Sequence, residues 1–504
     1  AFTTAIPLAN YAAIDIEVAK AIDFARASRE PDPATVRLHV TAEPLDPGVA
    51  RVAAAATGET TELGWLDAVR DGIAEEMRRN RNIVYFGEGT GERGGTFAHT
   101  KNLYVEFGAD RMVDTPISEL GFTGAALGAA ATGVRCIADL MFADFLFEAA
   151  GQIVLQASKL RYMSNGLMEA PMVVRVGSGA VRSAGPHHSG TYHPVWAHIP
   201  GLIVCLPSNP ADAKGLMKTA LNARDPVLML ETKALFASRG PVPTGDHYVP
   251  FGVARIARAG RDLTIASAGQ MVVKALEAAE LLAQDGIEAE IIDLRTIQPL
   301  DVDTVADSVR KTHRLLVVDE AYAMCGIGAE LAQAMNELCF DALDGPPQRL
   351  HTEPVSHPFA PSLERAMLVH VDAIVAAARR TVAGDTLPSR RLGRGEGLTR
   401  PAPPPPPQPR PAAVPVSSAL SAATPLPADG DPVTMPWGDL TVSEGRLIRW
   451  VKREGEPVAA GEHIADIETD KAVVEIEAPR AGTIGILRPQ DAVVKMGEMI
   501  AVIR

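Results

Sequence analysis

Acidic side chains in two glycine-containing stretches are the first candidates for proton chemistry. In DTPISELGFTGAALGAAATG, Thr115 or Ser118 can cap a helix, and Glu119 then lies in its first turn. An acid there has an ordinary explanation, because the helix dipole stabilises it by about 0.3–1 kcal/mol. Glu88 and Glu92 in YFGEGTGERGG are further loop acids. The glycine run around them lacks the GxGxxG and GxxxxGK spacings, so it gives little indication of phosphate binding.

Two adjacent histidines, His187 and His188, follow a loop rich in glycine and serine. Side chains at successive loop positions normally diverge, so we expect one of the two to enter a site. An imidazole titrates near neutral pH and can deliver a proton there. Phe145, in LMFADF, fits either a core position or a ring packed on a ligand. On the residues alone, solvated histidines and a core phenylalanine stay open as alternatives.

Lys471 lies in the polar turn of IETDKAVVEIEAP, between two stretches of alternating apolar residues. The alternation predicts two strands with the lysine at the hairpin tip, where an ordinary solvated lysine is the alternative. An internal echo frames this turn, because GEHIADI at Gly461 reappears as GEMIAVI at Gly497. The echo predicts two halves of one small all-β fold with quasi-twofold symmetry.

The elements that must position these residues alternate between helix and strand. Apolar runs such as NIVYFGE, PMVVRVG and PVLMLE are bounded by glycine, proline or charge and separated by helical patterns, which is typical of a largely parallel sheet. A second such block follows, then a proline-rich stretch without a periodic apolar face. Five segments are predicted. They are a first segment (1–61), in which an amphipathic stretch stops at EPDP, two α/β domains (62–245 and 246–383), a linker (384–430) and an all-β domain (431–504).

Composition narrows the class of protein. The 504 residues carry a formal charge of −14, which gives no excess positive field for nucleic acid. The four cysteines lie far apart, which favours neither a disulfide framework nor a metal site and fits a reducing compartment. No apolar run is long enough to cross a bilayer, and the first residues do not resemble a signal peptide. We therefore predict a cytoplasmic protein that binds neither nucleic acid nor membrane.

The C-terminal domain resembles the lipoyl domains of 2-oxo acid dehydrogenase complexes, in which the lysine of an ETDKA turn carries lipoic acid. The similarity covers residues from about Thr434 to Arg504. Related biotin carriers have Met-Lys-Met at the tip, whereas this chain has Asp470, Lys471 and Ala472. The resemblance therefore implies lipoic acid on Lys471.

The region from about Leu63 to Arg379 resembles the β subunit of thiamine-diphosphate-dependent 2-oxo acid dehydrogenases. The motifs that carry the similarity occur in the family's order: GWLDAVRDGIAEEM, VDTPISELGF, LMFADF, KLRYMS, GPHHSG, HIPGL, DAKGL and DLRTIQPLD. It implies two transketolase-like α/β domains, a pyrimidine-binding one and a C-terminal one. It also implies that Glu119 hydrogen-bonds a pyrimidine ring nitrogen and promotes the imino tautomer, that Phe145 packs on the pyrimidine and that His188 is the active-site histidine.

The same resemblance implies an α partner. Thiamine enzymes hold the diphosphate through Mg²⁺ bound by a GDG motif, which this chain lacks, so an α half is expected to supply it. EVAKAIDFARASREPDP resembles the tail of that α subunit, and Ala1 in place of an initiator Met adds to the expectation of an α–β–lipoyl fusion. Further partners implied are a second β copy, a dihydrolipoyl acyltransferase core and dihydrolipoyl dehydrogenase.

The function implied is the decarboxylating component of a 2-oxo acid or acetoin dehydrogenase complex that carries its own lipoyl arm. VRCIADLMFADF, KLRYMS and AHIPGL are closer to acetoin and pyruvate types than to branched-chain types. The alternative is a non-catalytic scaffold or acyl-carrier subunit. The joint presence of Glu119, Phe145 and His188 argues against that alternative.

Overall fold

A computed structural model describes residues 8–44, 58–387, 430–435, 444–468, 473–495 and 497–504. The chain divides into two compact units, residues 1–396 and 397–504, which we describe separately. Most of the predicted linker, residues 388–429, and Lys471 lie outside the described residues. Among the described residues, no helix combines the length and the apolar composition needed to span a membrane.

The first segment contains the helix predicted before EPDP. Helix α1 (Leu8–Ala27) is followed by a 3₁₀ turn (Pro33–Thr35), whose start the Asp32 carboxylate caps by accepting from the Ala34 N–H at 2.9 Å. Its large apolar side chains are exposed, with Phe24 at 77%. The predicted amphipathic face is therefore largely exposed within the described residues.

The pyrimidine-binding region, as predicted, alternates strands and helices. The strands are β1 (Thr60–Gly64), β2 (Ile83–Gly87), β3 (Met112–Asp114), β4 (Arg135–Phe142), β5 (Met172–Ser178), β6 (Ile203–Cys205), β7 (Val227–Thr232) and β8 (Arg239–Pro243). The helices are α2 (Trp65–Arg79), α3 (Leu103–Phe107), α4 (Glu119–Ala131), α5 (Leu160–Met163), α6 (His193–Ala197) and α7 (Pro210–Asn222). Strands β5 and β7 are buried along their whole length, which explains why apolar residues dominate their sequences.

The second α/β region follows with the same alternation. Its strands are β9 (Arg255–Arg258), β10 (Leu263–Ser267), β11 (Ala289–Asp293), β12 (Thr296–Gln298), β13 (Leu315–Tyr322) and β14 (Gln348–Thr352). Its helices are α8 (Gln270–Gln284), α9 (Val302–Thr312), α10 (Ile327–Cys339), α11 (Pro361–Met367) and α12 (Val371–Val382). Asp301 caps α9 by accepting from the Thr304 N–H at 3.0 Å.

Two large sheets organise the first unit, besides a two-stranded antiparallel sheet of β1 and β8. One has seven strands in the order β12-β6-β7-β5-β4-β2-β3, parallel except for β12 against β6. The other has five, β14-β13-β10-β11-β9, parallel except for β9 against β11. Strand β12 therefore comes from the second α/β region of the sequence but extends the first sheet.

The C-terminal unit consists of short strands, as predicted. They are β15 (Asp431–Thr434), β16 (Glu444–Trp450), β17 (Pro457–Val458), β18 (His463–Glu468), β19 (Val473–Glu477), β20 (Gly482–Ile486), β21 (Val493–Lys495) and β22 (Met499–Ile503). They form two four-stranded sheets, β15-β22-β20-β17 and β19-β18-β16-β21. Isoleucine side chains from several strands fill a shared core, among them Ile464, Ile484 and Ile500.

The sequence echo is a structural repeat. Gly461 and Gly497 both adopt a φ of 76°, a conformation that favours glycine. Their N–H groups donate to the Ala478 and Met435 carbonyls at 2.8 and 3.0 Å respectively. The residue after each glycine completes the same pattern. The Ala478 N–H donates to the Glu462 carbonyl at 2.9 Å, and the Met435 N–H donates to the Glu498 carbonyl at 2.8 Å. The predicted quasi-twofold symmetry is confirmed at these turns.

Candidate active site

Five side chains follow the carboxyl ends of adjacent parallel strands in the seven-stranded sheet. The strands lie side by side in the order β3, β2, β4, β5 and β7. Because the carboxyl ends of parallel strands share one edge, this edge is where open α/β sheets bind their ligands. In the same order across the sheet, the side chains are Glu119, Glu88, Phe145, His188 and Lys233.

Two carboxyl groups interact at one end of this row. Glu119 is the first residue of α4 and is half-buried, whereas Glu88 directly follows β2 and is 8% exposed. Burial, and after it the charge of Glu119, raises the pKa of Glu88 to about 7, although a backbone hydrogen bond at Ser118 opposes the rise. Glu88 Oε1 is buried without a hydrogen-bond partner among the described residues. Glu88 can therefore hold a proton near neutral pH, beside the carboxyl group of Glu119.

The glycine-rich loop after β2 is tied to the end of β3. Asp114 accepts from the Gly89 N–H at 2.7 Å and from the Gly91 N–H at 3.3 Å. A Cβ on Gly91 would lie 2.8 Å from Asp114 Oδ2, so glycine permits this close approach. Of the two loop acids noted in the sequence, Glu88 lies against Glu119, whereas Glu92 is exposed. The loop thus holds one acid at the site and leaves the other at the surface.

Aromatic rings surround His188 further along the row. Its ring lies 4.6 Å from Phe142 and 5.6 Å from Phe145, both edge to face. Phe145 and His188 are half-buried, whereas the neighbouring His187 is exposed. The structure therefore brings together His188 and Phe145 and directs only one of the two adjacent histidines inward.

Lys233 completes the row. It directly follows β7, is 5% exposed, and donates a hydrogen bond from Nζ to the backbone carbonyl of His188. Burial lowers the pKa of this amine to about 8, against the opposing charges of Asp144, Glu320 and Glu364. An amine with that pKa changes its charge within the working range of many enzymes.

A buried chain of hydrogen bonds crosses β2, β4, β5 and β7. Asp139 Oδ2 accepts from the Tyr85 hydroxyl at 2.5 Å and lies 2.6 Å from His99 Nε2. Arg175 donates to the Tyr85 hydroxyl at 3.1 Å and to Glu231 at 2.5 Å. Burial alone would raise the pKa of Asp139, but His99 and Arg175 hold it well below its usual range. The charges here are paired, as buried charges must be.

Sequence reasoning did not single out Lys233 or this chain of hydrogen bonds. Two signals were present nonetheless. Arg175 is a charge inside the apolar run PMVVRVG, and Lys233 directly follows the run that begins PVLMLE. A charge within or just after a buried strand must find a partner, so such positions indicate a buried polar network at the sheet edge.

The predicted lipoyl lysine belongs to the C-terminal unit. Strands β18 and β19 pair antiparallel, with Glu468 opposite Val473. Residues 469–472 connect these strands in the sequence, and Lys471 among them lies outside the described residues. The described strands are thus those of the predicted hairpin.

Comparison with known proteins assigns this chain to a family. The β subunit of acetoin:2,6-dichlorophenolindophenol oxidoreductase from Cupriavidus necator is 44% identical over 327 residues, 63% of this chain and 96% of that protein. The chain belongs to the β subunits of thiamine-diphosphate-dependent 2-oxo acid and acetoin dehydrogenases. It is the β component of such an oxidoreductase, joined to a lipoyl-type domain.

Other members of the family are similarly close. The pyruvate dehydrogenase E1 component subunit beta of Rhizobium meliloti is 44% identical over 314 residues, 62% of this chain and 68% of that protein. The 2-oxoisovalerate dehydrogenase subunit beta of Bacillus subtilis is 39% identical over 319 residues, 63% of this chain and 98% of that protein. The relatives similar to this chain are thus named for several different substrates.

Family models match all three folded regions of this β subunit. Residues 61–238 match the transketolase pyrimidine-binding domain, 252–374 the transketolase C-terminal domain, and 431–503 the family described as biotin-requiring enzyme. The predicted fold class, two transketolase-like α/β domains followed by an all-β lipoyl domain, is confirmed. The pyrimidine-binding match includes all five side chains of the row and implies thiamine diphosphate, and β subunits of this family pair with α subunits.

Solved structures support the fold. A split-gene transketolase, described as an inactive beta4 tetramer, superposes with a TM-score of 0.50 at 20% identity, over 64% of this chain and 99% of that one. A transketolase from Leishmania mexicana gives a TM-score of 0.50 at 14% identity, over 67% of this chain and 48% of that one. At these identities the likeness concerns the fold alone.

Proposed function

We propose that the protein is the β part of the component that decarboxylates a 2-oxo acid, or cleaves acetoin to release an aldehyde, in its dehydrogenase complex, and that it delivers the acyl group to a lipoyl group on its own Lys471. The observation that supports this most is the row at the sheet edge, where a paired acid, an aromatic ring and a histidine follow adjacent strands. A carrier-only subunit would have no use for a buried acid with a pKa near 7.

The pyrimidine half of thiamine diphosphate fits these residues. Glu88 Oε1 is a buried atom without a partner among the described residues, and the half-buried ring of Phe145 offers a face to a flat heterocycle. When bound, the cofactor supplies the stabilised carbanion chemistry that decarboxylation requires. In this proposal, Glu119 donates a hydrogen bond to a pyrimidine nitrogen, Glu88 accepts or returns the shared proton, and Phe145 packs against the ring.

His188 has a separate role in the proposal. Its imidazole delivers a proton to a sulfur of the lipoyl dithiolane while the acyl group joins the other sulfur, so the disulfide is reduced as the acyl unit is oxidised. The edge-to-face rings of Phe142 and Phe145 restrict the imidazole to one orientation. A proton donor held in this way suits transfer near neutral pH.

We further propose that the α half holds Mg²⁺ and the diphosphate. The exposed apolar side chains of α1 support the interpretation of residues 1–61 as an α-subunit-like tail, because such a face needs a larger partner. A second β copy, a dihydrolipoyl acyltransferase core and dihydrolipoyl dehydrogenase complete the proposed complex. Four free cysteines support the prediction of a reducing, cytoplasmic location.

Pyruvate or acetoin is the proposed substrate, and both give a two-carbon acyl unit. Family relatives named for each are equally similar to this chain, at 44% identity. A panel of pyruvate, acetoin and 2-oxoisovalerate, assayed with the α half present, decides between them. Turnover of 2-oxoisovalerate above both other substrates would contradict this choice.

The split cofactor site can be tested by calorimetry. We expect no micromolar binding of thiamine diphosphate with Mg²⁺ to this chain by itself, and binding once the α half is added. Micromolar binding to the chain alone would contradict the split site.

Lipoylation is tested separately. Intact-mass measurement after expression in cells with active lipoylation should show one lipoyl addition, lost in Lys471→Arg, while decarboxylation with an artificial dye is retained. An unmodified chain or a biotin adduct would contradict the assignment of Lys471.

A further inference from the structure

The loop that carries His188 is anchored by carboxylates from separate elements. After β5, the Ala180 N–H donates to Glu320 at 3.3 Å and the Ser183 N–H donates to Glu364 at 3.1 Å. At the other end of the loop, the Gly190 N–H donates to Asp144 at 3.1 Å. Asp144 follows β4, Glu320 lies on β13 and Glu364 on α11. The loop backbone is thus surrounded by three acidic groups, two of which come from the second α/β region.

Lys233 is a cation that faces these three acidic groups. The charges of Asp144, Glu320 and Glu364 each favour its protonated form. Other charged groups also face these acids: His357 faces Glu364 and Asp144, and Lys274 faces Glu320. Lys233 differs from them in also touching the loop itself, because its Nζ donates to the carbonyl of His188.

The same amine also reaches the ring of His188 indirectly. Lys233 Nζ lies 4.8 Å from the centre of the Phe142 ring, and that ring lies 4.6 Å from the His188 imidazole. An aromatic face attracts a charged amine, and a neutral amine loses this attraction. Gly177 makes room for the lysine stem, because a Cβ there would lie 2.9 Å from Lys233 Cγ. The lysine therefore contacts both the backbone of His188 and the ring that packs against its side chain.

We propose that Lys233 is a positioning residue for His188, whose protonated amine holds the carbonyl and, through Phe142, the imidazole in the orientation needed for acyl transfer. This inference rests on the proposed role of His188. It predicts that transfer to the lipoyl group depends more steeply on the charge of Lys233 than decarboxylation does, because decarboxylation uses the acids at the other end of the row. Burial lowers the pKa of Lys233 to about 8, so the orientation should be lost as the pH rises above that value.

The test uses the full chain assembled with its α half, thiamine diphosphate and Mg²⁺. Two rates are measured from pH 6.5 to 9.5: reduction of an artificial dye, which reports decarboxylation without the dithiolane, and acylation of the lipoyl domain. Lys233→Met removes the charge at similar length, and Lys233→Arg keeps it at all these pH values. Lys214→Met is the matched control, since Lys214 is also 5% exposed but pairs with Glu75 on α2.

The inference predicts that Lys233→Met lowers the rate of acylation about tenfold or more relative to the rate of dye reduction. Wild-type acylation should fall above about pH 8, whereas in Lys233→Arg this fall should move to higher pH or disappear. Lys214→Met should leave the pH profile of acylation unchanged. Acylation by Lys233→Met within about twofold of wild type, or an equal loss of both rates, would overturn the inference.

Two further measurements separate the possible failures. If Lys233→Met does not fold, the pH profile of Lys233→Arg decides, and an unchanged alkaline fall would overturn the inference. His188→Ala is run in parallel, because acylation that survives in this variant would show that the proposed role of His188 is wrong. Acylation lost in His188→Ala but intact in Lys233→Met would instead show that Lys233 does not position His188.

Discussion

The sheet edge of the first unit and the lipoyl-type unit place their charges in opposite ways. At the sheet edge, the side chains of the Arg175–Glu231 pair are 4% and 2% exposed. In the C-terminal unit, those of the Arg446–Glu468 pair are 54% and 47% exposed. The Arg175–Glu231 pair is thus removed from water, whereas the Arg446–Glu468 pair keeps its charges in water.

This difference has energetic consequences. Removing one partner of a buried pair leaves an uncompensated charge and costs about 3–5 kcal/mol, whereas exposed pairs contribute about 0–1 kcal/mol. Substitutions at the sheet edge should therefore affect stability or chemistry strongly, and comparable substitutions in the C-terminal unit should not. Four variants test the contrast, from the largest expected effect to the smallest.

Arg175→Met should lower the free energy of unfolding by about 3–5 kcal/mol, because it leaves the charge of Glu231 buried without its cation. Glu231 would keep the hydrogen bond from Trp65 Nε1, whereas the Tyr85 hydroxyl would lose the hydrogen bond from Arg175. Urea denaturation of the apo chain measures the change. The double variant Arg175→Met with Glu231→Leu is the control and should recover part of the loss. A loss below about 1 kcal/mol in the single variant would show that burial of this pair does not matter.

Glu119→Gln should slow decarboxylation about a hundredfold or more, a barrier increase of about 2.7 kcal/mol, because the amide cannot support the proposed proton relay to the pyrimidine. Dye reduction by the assembled enzyme measures it. Glu92→Gln, a change of the exposed acid in the glycine-rich loop, serves as the control and should turn over normally. If Glu119→Gln stays within about tenfold of wild type, Glu119 is not the relay acid.

Glu88→Gln should stabilise the apo chain at pH 8 by about 1–3 kcal/mol. The pKa of Glu88 is raised from 4.5 to about 7 on folding, so ionisation of the buried carboxyl opposes folding above pH 7. That cost falls as the pH drops below 7 and vanishes below the unfolded value of 4.5. Urea midpoints at pH 8 and pH 5 should therefore show a gain that shrinks in acid. An equal gain at both pH values would mean that the pKa is not raised.

Arg446→Met should leave the urea midpoint of the C-terminal unit unchanged, because its partner Glu468 remains solvated. Lipoylation of Lys471, followed by intact mass, should be unaffected. A loss comparable to that of Arg175→Met would remove the contrast between the two regions.

Much of the architecture could be predicted from pattern alone. Runs such as PMVVRVG mark strands buried on both faces, and the echo at Gly461 and Gly497 marks a twofold β unit whose turns repeat the same hydrogen bonds. Four of the five side chains also follow predicted strands, whereas β3, which precedes Glu119, was not predicted. Their order across the sheet was not predictable, because it depends on which strands pair, and pairing is set by contacts remote in sequence.

Two features needed the tertiary structure for the same reason. Glu88 and Glu119 interact because β2 and β3 are neighbours, although the residues lie on separate loops. Strand β12 joins the first sheet although its sequence belongs to the second α/β region. The exposed apolar face of α1 shows a further limit of the sequence. Helical periodicity predicts which residues share a face, but it does not predict what covers that face.

The most direct test of the central claim is the mass of the lipoylated chain after a single turnover with the α half, thiamine diphosphate, Mg²⁺ and pyruvate or acetoin. If the sheet edge supplies the pyrimidine half of an active site that serves Lys471, the chain should gain one acyl group on its reduced lipoyl arm, and Glu119→Gln should prevent the gain. A lipoylated chain that gains no acyl group while the dye is reduced would contradict transfer to its own arm. Acylation that persists in Glu119→Gln would contradict the assigned active site.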